Sequence, residues 1–463
     1  MPRSWLIVPL LILYLLDLGS VGFLGPDEPR YASIGREMAR SHDFVTPRLD
    51  GQAWFEKPPL LYWMIALGTF ARLPDEWAAR LPNSLLSAGF LIFFFFTIQR
   101  EFSNRVAIAA STILATSAGW IAFSFAAVTD LPMTVLFAAA MLIAMFDTRR
   151  EQGYVAGALL GLSALAKGLV PLVLFLPLFL IARGKRLTML AGCIVVGAPW
   201  YVLCAIRNGS ASLEDLIWKH HFERFFSPSL QHVQPLWYYV PILLAGIFPW
   251  TPLAGLLFRR KSYDDVRVRF LVGWTIYAFL FFSVSLNKLP GYVLPLLPAL
   301  AIVLAVALDK AGTAAKWWLT ASTLMLIALP VIAATLPEAL LTGIRRAHWV
   351  LTPGIPFVAV AALVWWLAWK ERPNFAMFAA GMGIVLGMLY LKRVAAPELD
   401  QRVSVRGFWR AHQAEAASAC IDGVRREWEF GLNYYASHAL PVCATEASPR
   451  IREENGRLVI APR

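Results

Sequence analysis

The residues able to do chemistry are few, and they gather at the ends of apolar runs. The first group lies in Gly25-Pro26-Asp27-Glu28-Pro29-Arg30-Tyr31 and continues in Phe55-Glu56-Lys57-Pro58-Pro59-Leu60-Leu61-Tyr62-Trp63. Carboxylates beside cations and aromatics in one loop suit acid–base chemistry. An acid orients or deprotonates a hydroxyl, and cations absorb developing negative charge. Later runs end on Asp130, on Lys167, on His220 and His221 with Arg224, and on Lys288 with Tyr292. Residues 25–80 therefore read as a catalytic loop, and the later residues as its partners.

Each of these residues also has a plain structural use. Asp27 can favour a helix start through the dipole, and Asp130 before Leu131-Pro132 suits an N-cap. Glu56 and Lys57 can be an exposed pair of little consequence. Arg224 and Lys288 can snorkel, and Tyr292, Trp54, Trp63 and Trp237 can sit in an aromatic belt. Lys167 is harder to explain this way, because it interrupts an otherwise apolar stretch. Convergence of separated loops on one face of the protein outweighs any single motif.

The elements that must position these residues are membrane spans. The 463 residues are 58% hydrophobic and only 16% charged, where soluble chains carry about 25% charged residues. Mean hydropathy is +0.58. A first span runs over 5–24, with no small-residue cleavage site after it, so it reads as an uncleaved span. Further spans follow at 81–98, 106–121, 131–146, 154–166, 169–182 and 187–206. After an amphipathic stretch at 213–234 come 237–258, 270–286, 290–308, 317–336, 351–369 and 375–391. That is about thirteen spans of crossing length, some near the short limit. Lys167-Gly168 is the break between the fifth and sixth.

Charge tests this topology. With the N-terminus cytoplasmic, the inside loops carry Arg100 and Arg105, Arg149 and Arg150, Arg183 with Lys185 and Arg186, the run Arg259 to Arg269, Lys310 and Lys316, and Lys370 and Arg372. This satisfies the positive-inside rule, although Arg345 and Arg346 run against it. The net charge of +12 is thereby explained as membrane anchoring, and no nucleic-acid partner is expected. The polar residues named above then share the outer side, where span ends spare them the cost of mid-membrane charge.

Within the first outer loop, Pro29 suits the first helical residue, with Glu28 extended before it. Tyr31, Ile34 and Met38 share one face of an amphipathic interfacial helix. Residues 41–51 are turn-like, and Pro58-Pro59 opens a more apolar helix. An odd number of spans puts the tail outside. There 403–419 reads as helix and 423–430 and 457–460 as strands, and two cysteines, Cys420 and Cys443, suggest a disulfide. Cys193 and Cys204 read as buried thiols. The expected fold is an all-α polytopic membrane protein with a small C-terminal α/β unit. The division falls between 1–392 and 393–463.

The pattern Asp27-Glu-Pro-Arg-Tyr-Ala with Phe55-Glu-Lys-Pro-Pro-Leu-Leu-Tyr-Trp resembles the first periplasmic loop of bacterial C-type membrane glycosyltransferases. Within them it is similar to the aminoarabinose transferases that modify lipid A and to the protein O-mannosyltransferases. Ala164-Leu-Ala-Lys-Gly, His221-Phe-Glu-Arg-Phe and Asn287-Lys-Leu-Pro-Gly-Tyr-Val-Leu-Pro agree with this. The tail is short for an aminoarabinose transferase. The resemblance implies a multi-pass protein of the bacterial inner membrane and an undecaprenyl-phosphate-linked sugar donor. The sugar passes with inversion to an envelope acceptor at the periplasmic face: lipid A, another glycolipid or glycan, or protein.

The resemblance also implies roles. Asp27 matches the catalytic aspartate and Asp130 the second acidic position. Lys57, Arg224, Lys288, Tyr292 and Lys167 meet the donor phosphate, and Glu28, Arg30, Tyr31 and Tyr62 the substrate. Glu56 and His221 match positions that bind a divalent metal, although two protein ligands are few for zinc. No nucleotide cofactor is implied. The alternative class is a transporter or flippase of lipid-linked sugars, for which internal repeats and polar residues at mid-membrane depth are the expected marks. Neither is evident in the sequence. A binding or scaffold subunit of an envelope-assembly complex is a third reading. Sugar and acceptor identity are not legible in the sequence.

Overall fold

The computed structural model describes residues 13–223, 233–343, 345–444, 449–454 and 456–461, and the backbone alone at 220–222, 340 and 341. Strands are confined to a two-residue hairpin and a three-stranded C-terminal sheet among these residues, and the rest of the regular structure is helical. Six helices are long and apolar enough to cross a membrane, or up to eight if each bent pair is one span, among the described residues. One bent pair is Asn104–Thr116 with Ala118–Ser124, at 60°. The other spans Leu236–Gly246 and Thr251–Phe258, at 115°.

The first outer loop is a folded unit. Helix α1 spans Asp27–Ser41, the strands β1 (Arg48–Leu49) and β2 (Gln52–Ala53) form a hairpin, and α2 spans Leu60–Phe70. The hairpin turns on Asp50-Gly51, both at positive φ (51° and 78°), which is the geometry that Asp-Gly favours. Helix α1 starts at Asp27, earlier than the proline suggested, so Glu28 is helical rather than extended. Pro29 is tolerated because the first N–H groups of a helix have no internal acceptor. Tyr31, Ile34 and Met38 do share a buried face. That face packs on α2 and the C-terminal unit rather than lying in the interface.

Helix α3 (Asp75–Glu101) follows, then α4 (Asn104–Thr116), α5 (Ala118–Ser124) and α6 (Asp130–Phe146). Helix α7 (Gln152–Lys167) ends at Gly168, whose φ of +76° suits glycine, and α8 (Val170–Ile181) and α9 (Arg186–Asn208) follow. The amphipathic stretch after α9 opens with a π-helical segment, Glu214–Glu223. Beyond it lie α10 (Tyr239–Gly246), α11 (Val266–Val284), α12 (Leu296–Asp309), α13 (Ala315–Leu324), α14 (Ala328–Thr342), α15 (Phe357–Trp369) and α16 (Pro373–Arg402). Helix α12 is buried along its whole apolar length and forms the centre of the largest core cluster.

The first expected span is described only from Leu13 onward, and from Tyr14 to Gly25 the chain runs as turns and irregular backbone. Asp17, Gly19, Ser20 and Gly22 are turn formers. Irregular backbone in a membrane protein needs partners from the protein itself, and three cations supply them. Arg80 donates to the carbonyls of Leu18 (2.9 Å), Val21 (2.6 Å) and Gly22 (3.0 Å). Arg406 donates to Gly19 (2.8 Å) and Ser20 (3.2 Å), and Lys392 to Leu16 and Asp17.

The C-terminal residues form α17 (Arg406–Ala416), β3 (Cys420–Asp422), α18 (Arg426–Ala436), β4 (Arg450–Glu454) and β5 (Arg457–Ala461). Strand β4 lies between β3, parallel to it, and antiparallel β5. Residues 423–430 are not a strand: from Arg426 they open α18, because Trp428, Gly431 and Leu432 recur at helical spacing and give it a buried face. Helix α16 runs unbroken across 392–393. Cys420 and Cys443 are joined by a disulfide. Cys204 is buried and Cys193 half-buried, both as free thiols.

Candidate active site

Two acid–cation clusters carry the expected chemistry. The first lies at the start of α1. The Arg30 guanidinium is 5% exposed and bridges two carboxylates, Asp27 at 2.5 Å and Glu56 at 3.0 Å. Burial works to lower the Arg30 pKa, but Tyr31, Glu56 and Asp27 outweigh it and hold the pKa above the ordinary value. Asp27 is the open member of this cluster, with its side chain 45% exposed. It makes no helix-capping bond, because Pro26 is the N-cap. Lys57 lies 3.4 Å from Glu56 Oε1, and the Trp54 indole N–H donates to Glu56 Oε2 at 3.3 Å.

The second cluster joins three elements. Asp130 is the first residue of α6 and, like Asp27, makes no side-chain cap bond. Its carboxylate instead pairs with Lys167, the last residue of α7, whose ammonium sits 5.0 Å from the centre of the Tyr292 ring. A Cβ on Gly291 would stand 2.4 Å from Asp130 Oδ1, so the Pro-Gly-Tyr segment needs its glycine for this close approach.

One buried strut ties both acids. Glu28, next to Asp27, receives Arg80 at 2.9 and 2.7 Å and also accepts the amides of Leu24 (2.9 Å) and Ala127 (2.8 Å). Ala127 stands just ahead of Asp130 on the segment that leads into α6. Asn83 fixes the same segment, donating to Ala126 O (2.6 Å) and Val128 O (2.8 Å). Glu76, one turn before Arg80, pairs with Arg406 at 3.2 Å and accepts from Tyr435 at 2.9 Å. Arg80, Asn83 and Glu76 went unrecognised in the sequence. Their signal was a polar stripe, Glu76, Arg80, Asn83, Ser84 and Ser87, at helical spacing on a membrane span.

Several expected contacts are instead supports. Glu28 is not a substrate group, because its carboxylate is filled by Arg80 and two backbone amides. Arg30, Tyr31 and Tyr62 are buried at 5%, 2% and 0% exposure, so they back the loop rather than line its surface. Tyr62 Oη and Arg30 Nε have no hydrogen-bond partner among the described residues. Lys288 donates two of its ammonium hydrogens within the protein, to Gln234 O at 2.9 Å and to Ser285 O, bracing the loop after α11. Arg224 and the His221 side chain lie outside the described residues.

The divalent metal fits poorly at Glu56. Both carboxylate oxygens already face the Arg30 guanidinium, with Lys57 and the Trp54 N–H beside them. A metal cation there would compete with two fixed cations. No group of three or more His, Cys, Asp or Glu residues able to hold a metal occurs among the described residues.

Residues 56–206 match the family model of dolichyl-phosphate-mannose-protein mannosyltransferases. The chain is 28% identical over 436 residues to an undecaprenyl phosphate-alpha-4-amino-4-deoxy-L-arabinose arabinosyl transferase of Pectobacterium carotovorum, covering 87% of this chain and 77% of that one. It is 32% identical over 326 residues to a Pseudomonas fluorescens protein of the same name, covering 64% and 58%. The fold matches the crystal structure of ArnT from Cupriavidus metallidurans bound to undecaprenyl phosphate, with a TM-score of 0.79, 23% identity and 96% and 86% coverage. These likenesses are to integral-membrane glycosyltransferases, in sequence and, for one of them, in fold. Within that class it resembles the undecaprenyl-phosphate aminoarabinose arabinosyl transferases, with the protein-mannosyltransferase pattern running from the first outer loop through α9.

Proposed function

We propose that this protein is an inverting glycosyltransferase that moves a sugar from undecaprenyl phosphate to an envelope acceptor, a lipid A-type glycolipid first among them. The bond between the anomeric carbon and the phosphate oxygen breaks as the acceptor oxygen attacks from the opposite face. The electron pair leaves on the lipid phosphate. Cations aimed at that oxygen lower the barrier because the charge grows as the bond breaks. Lys57 and the Lys167–Tyr292 pair fill this role. Asp27 orients the acceptor, and where the acceptor is a hydroxyl it takes the proton. Asp130 holds Lys167 in place and fixes the charge balance around it. No step of this transfer calls for a nucleotide cofactor or a metal ion.

The topology follows the charge asymmetry of the loops. About thirteen spans form one unit through Arg402, and the remainder forms a small α/β unit outside. The catalytic loop and that unit then share the periplasmic face of the inner membrane, an oxidising compartment that suits the Cys420–Cys443 disulfide.

The observation that carries the reading is the buried Arg30 between two carboxylates, one of them open to solvent. Such an arrangement presents one fixed, accessible acid at the mouth of a preorganised loop. The test is sugar transfer from a synthetic polyprenyl-phosphate donor in proteoliposomes, with the product identified by mass spectrometry. Transfer by the wild type and none by Asp27→Asn is expected. Undiminished transfer by Asp27→Asn removes Asp27 from the mechanism.

A further inference from the structure

The C-terminal unit reaches into the Asp27 cluster with one side chain. Three rings surround the Arg30 guanidinium, with centres 5.3 Å (Tyr31), 5.8 Å (Trp54) and 5.5 Å (Phe430) from its central carbon. Tyr31 is on α1 and Trp54 follows the hairpin, but Phe430 is on α18, far away in sequence. We propose that Phe430 is a positioning residue of the transferase site, acting through Arg30 to hold Asp27, so that the C-terminal unit is part of the active site. This rests on the transferase reading above.

The placement of Phe430 is fixed from both sides. Arg36 donates to Tyr434 O at 2.7 Å and lies 3.9 Å above the Tyr434 ring. Phe23 meets Tyr434 edge-to-face at 4.7 Å, and Tyr435 reaches Glu76 at 2.9 Å. These contacts set the register of α18 against α1 and bring the Phe430 ring over Arg30. The guanidinium needs such a support. Its two terminal nitrogens bind Asp27 and Glu56, but Arg30 Nε has no hydrogen-bond partner among the described residues. Hydrogen bonds therefore fix one edge of the fork and leave the other edge to the aromatic faces. A planar, weakly hydrated guanidinium is suited to that kind of holding. When Arg30 shifts, the exposed carboxylate it grips shifts with it, and small misplacements of a reacting group are costly in rate.

The alternative is that Phe430 only fills volume. Phe430→Leu keeps most of the volume and loses the π face, whereas Phe430→Trp keeps the face. The proposal expects Phe430→Leu to unfold at the wild-type midpoint and to lose about three- to thirty-fold in kcat, the range of one partly desolvated cation–π contact. Donor KM stays unchanged, and Phe430→Trp restores the rate. Hydrogen exchange of the peptide covering α1 gives a readout that does not need activity: exchange rises in Phe430→Leu and returns in Phe430→Trp. Wild-type kcat and exchange in Phe430→Leu overturn the proposal, as does equal loss in both variants. A wild-type protein that transfers no sugar refutes the transferase reading instead, and the exchange comparison then decides whether Phe430 holds Arg30.

Discussion

Replacing Glu28 by glutamine changes one atom type and should damage the fold far more than its size suggests. The carboxylate is 4% exposed and accepts four hydrogen bonds. Oε1 takes Arg80 Nε and the Ala127 amide, and Oε2 takes Arg80 Nη2 and the Leu24 amide. An amide side chain turns one of those oxygens into an NH₂ that faces two donors. It also removes the one carboxylate bonded to the buried Arg80, since its other bonds all go to neutral carbonyls and Glu76 acts on it only through space. Removing one partner of a buried ion pair costs about 3–5 kcal/mol. The orphaned donors add to this, at about 1–3 kcal/mol for each unsatisfied group. We expect Glu28→Gln to lose at least about 3 kcal/mol in denaturant unfolding measured in lipid bicelles. Asp27→Asn next to it, half-exposed and with Glu56 still paired to Arg30, should cost less, at most about 1 kcal/mol. In a cycle with Arg80→Met, the coupling between the two positions should reach about 2–3 kcal/mol. A Glu28→Gln protein of wild-type stability, or a coupling near zero, would refute the strut.

Gly291→Ala should lower kcat/KM at least about ten-fold, because misplacement near the reacting groups is costly. Its Cβ would stand 2.4 Å from Asp130 Oδ1 and force the Asp130–Lys167 pair apart, and steady-state transfer kinetics measure the loss. Removing the Cys420–Cys443 disulfide by a double alanine substitution should destabilise the C-terminal unit by about 3 kcal/mol, since the bridge closes a separation of 23 residues; limited proteolysis of that unit reads this out. Arg425 bonds Glu453 and holds its carboxyl below the ordinary value of 4.5. A depressed carboxyl contributes stability that is present above its unfolded value and lost as pH falls through the folded one. Protection factors of the β4 and β5 amides, corrected for the intrinsic pH dependence of exchange, should therefore fall below about pH 4.5 in the wild type, and this acid dependence should shrink in Glu453→Gln.

Much of the fold was legible because its signals are periodic. The apolar runs located the helices between α3 and α16, and Lys167-Gly168 marked a true break because glycine adopts that φ comfortably. Acid–cation grouping found Asp27, Glu56 and Lys57, and it found Asp130 and Lys167 without showing that they pair. The failures have physical causes. Residues 14–25 look apolar enough to continue a span, but their carbonyls bind Arg80, Lys392 and Arg406, which lie as many as 387 positions away in sequence. A composition window cannot see such partners. Glu28 has the same residue type and neighbourhood as a catalytic acid, and only Arg80 across the core makes it a strut. Phe430 was hidden twice over, first by a stretch read as a strand and then by its distance in sequence from Arg30. The two carbonyl partners of Lys288, on Gln234 and Ser285, were likewise not legible in its sequence neighbourhood.

The central claim is that Asp27, held by a buried Arg30, is the acid that serves sugar transfer. The measurement is single-turnover transfer from a polyprenyl-phosphate sugar in proteoliposomes, comparing the wild type with Asp27→Asn, both shown to be folded. Transfer by the wild type is expected, with a loss of at least about a hundred-fold in Asp27→Asn, the scale of a positioned acid–base group. Transfer by Asp27→Asn at the wild-type rate would contradict the claim.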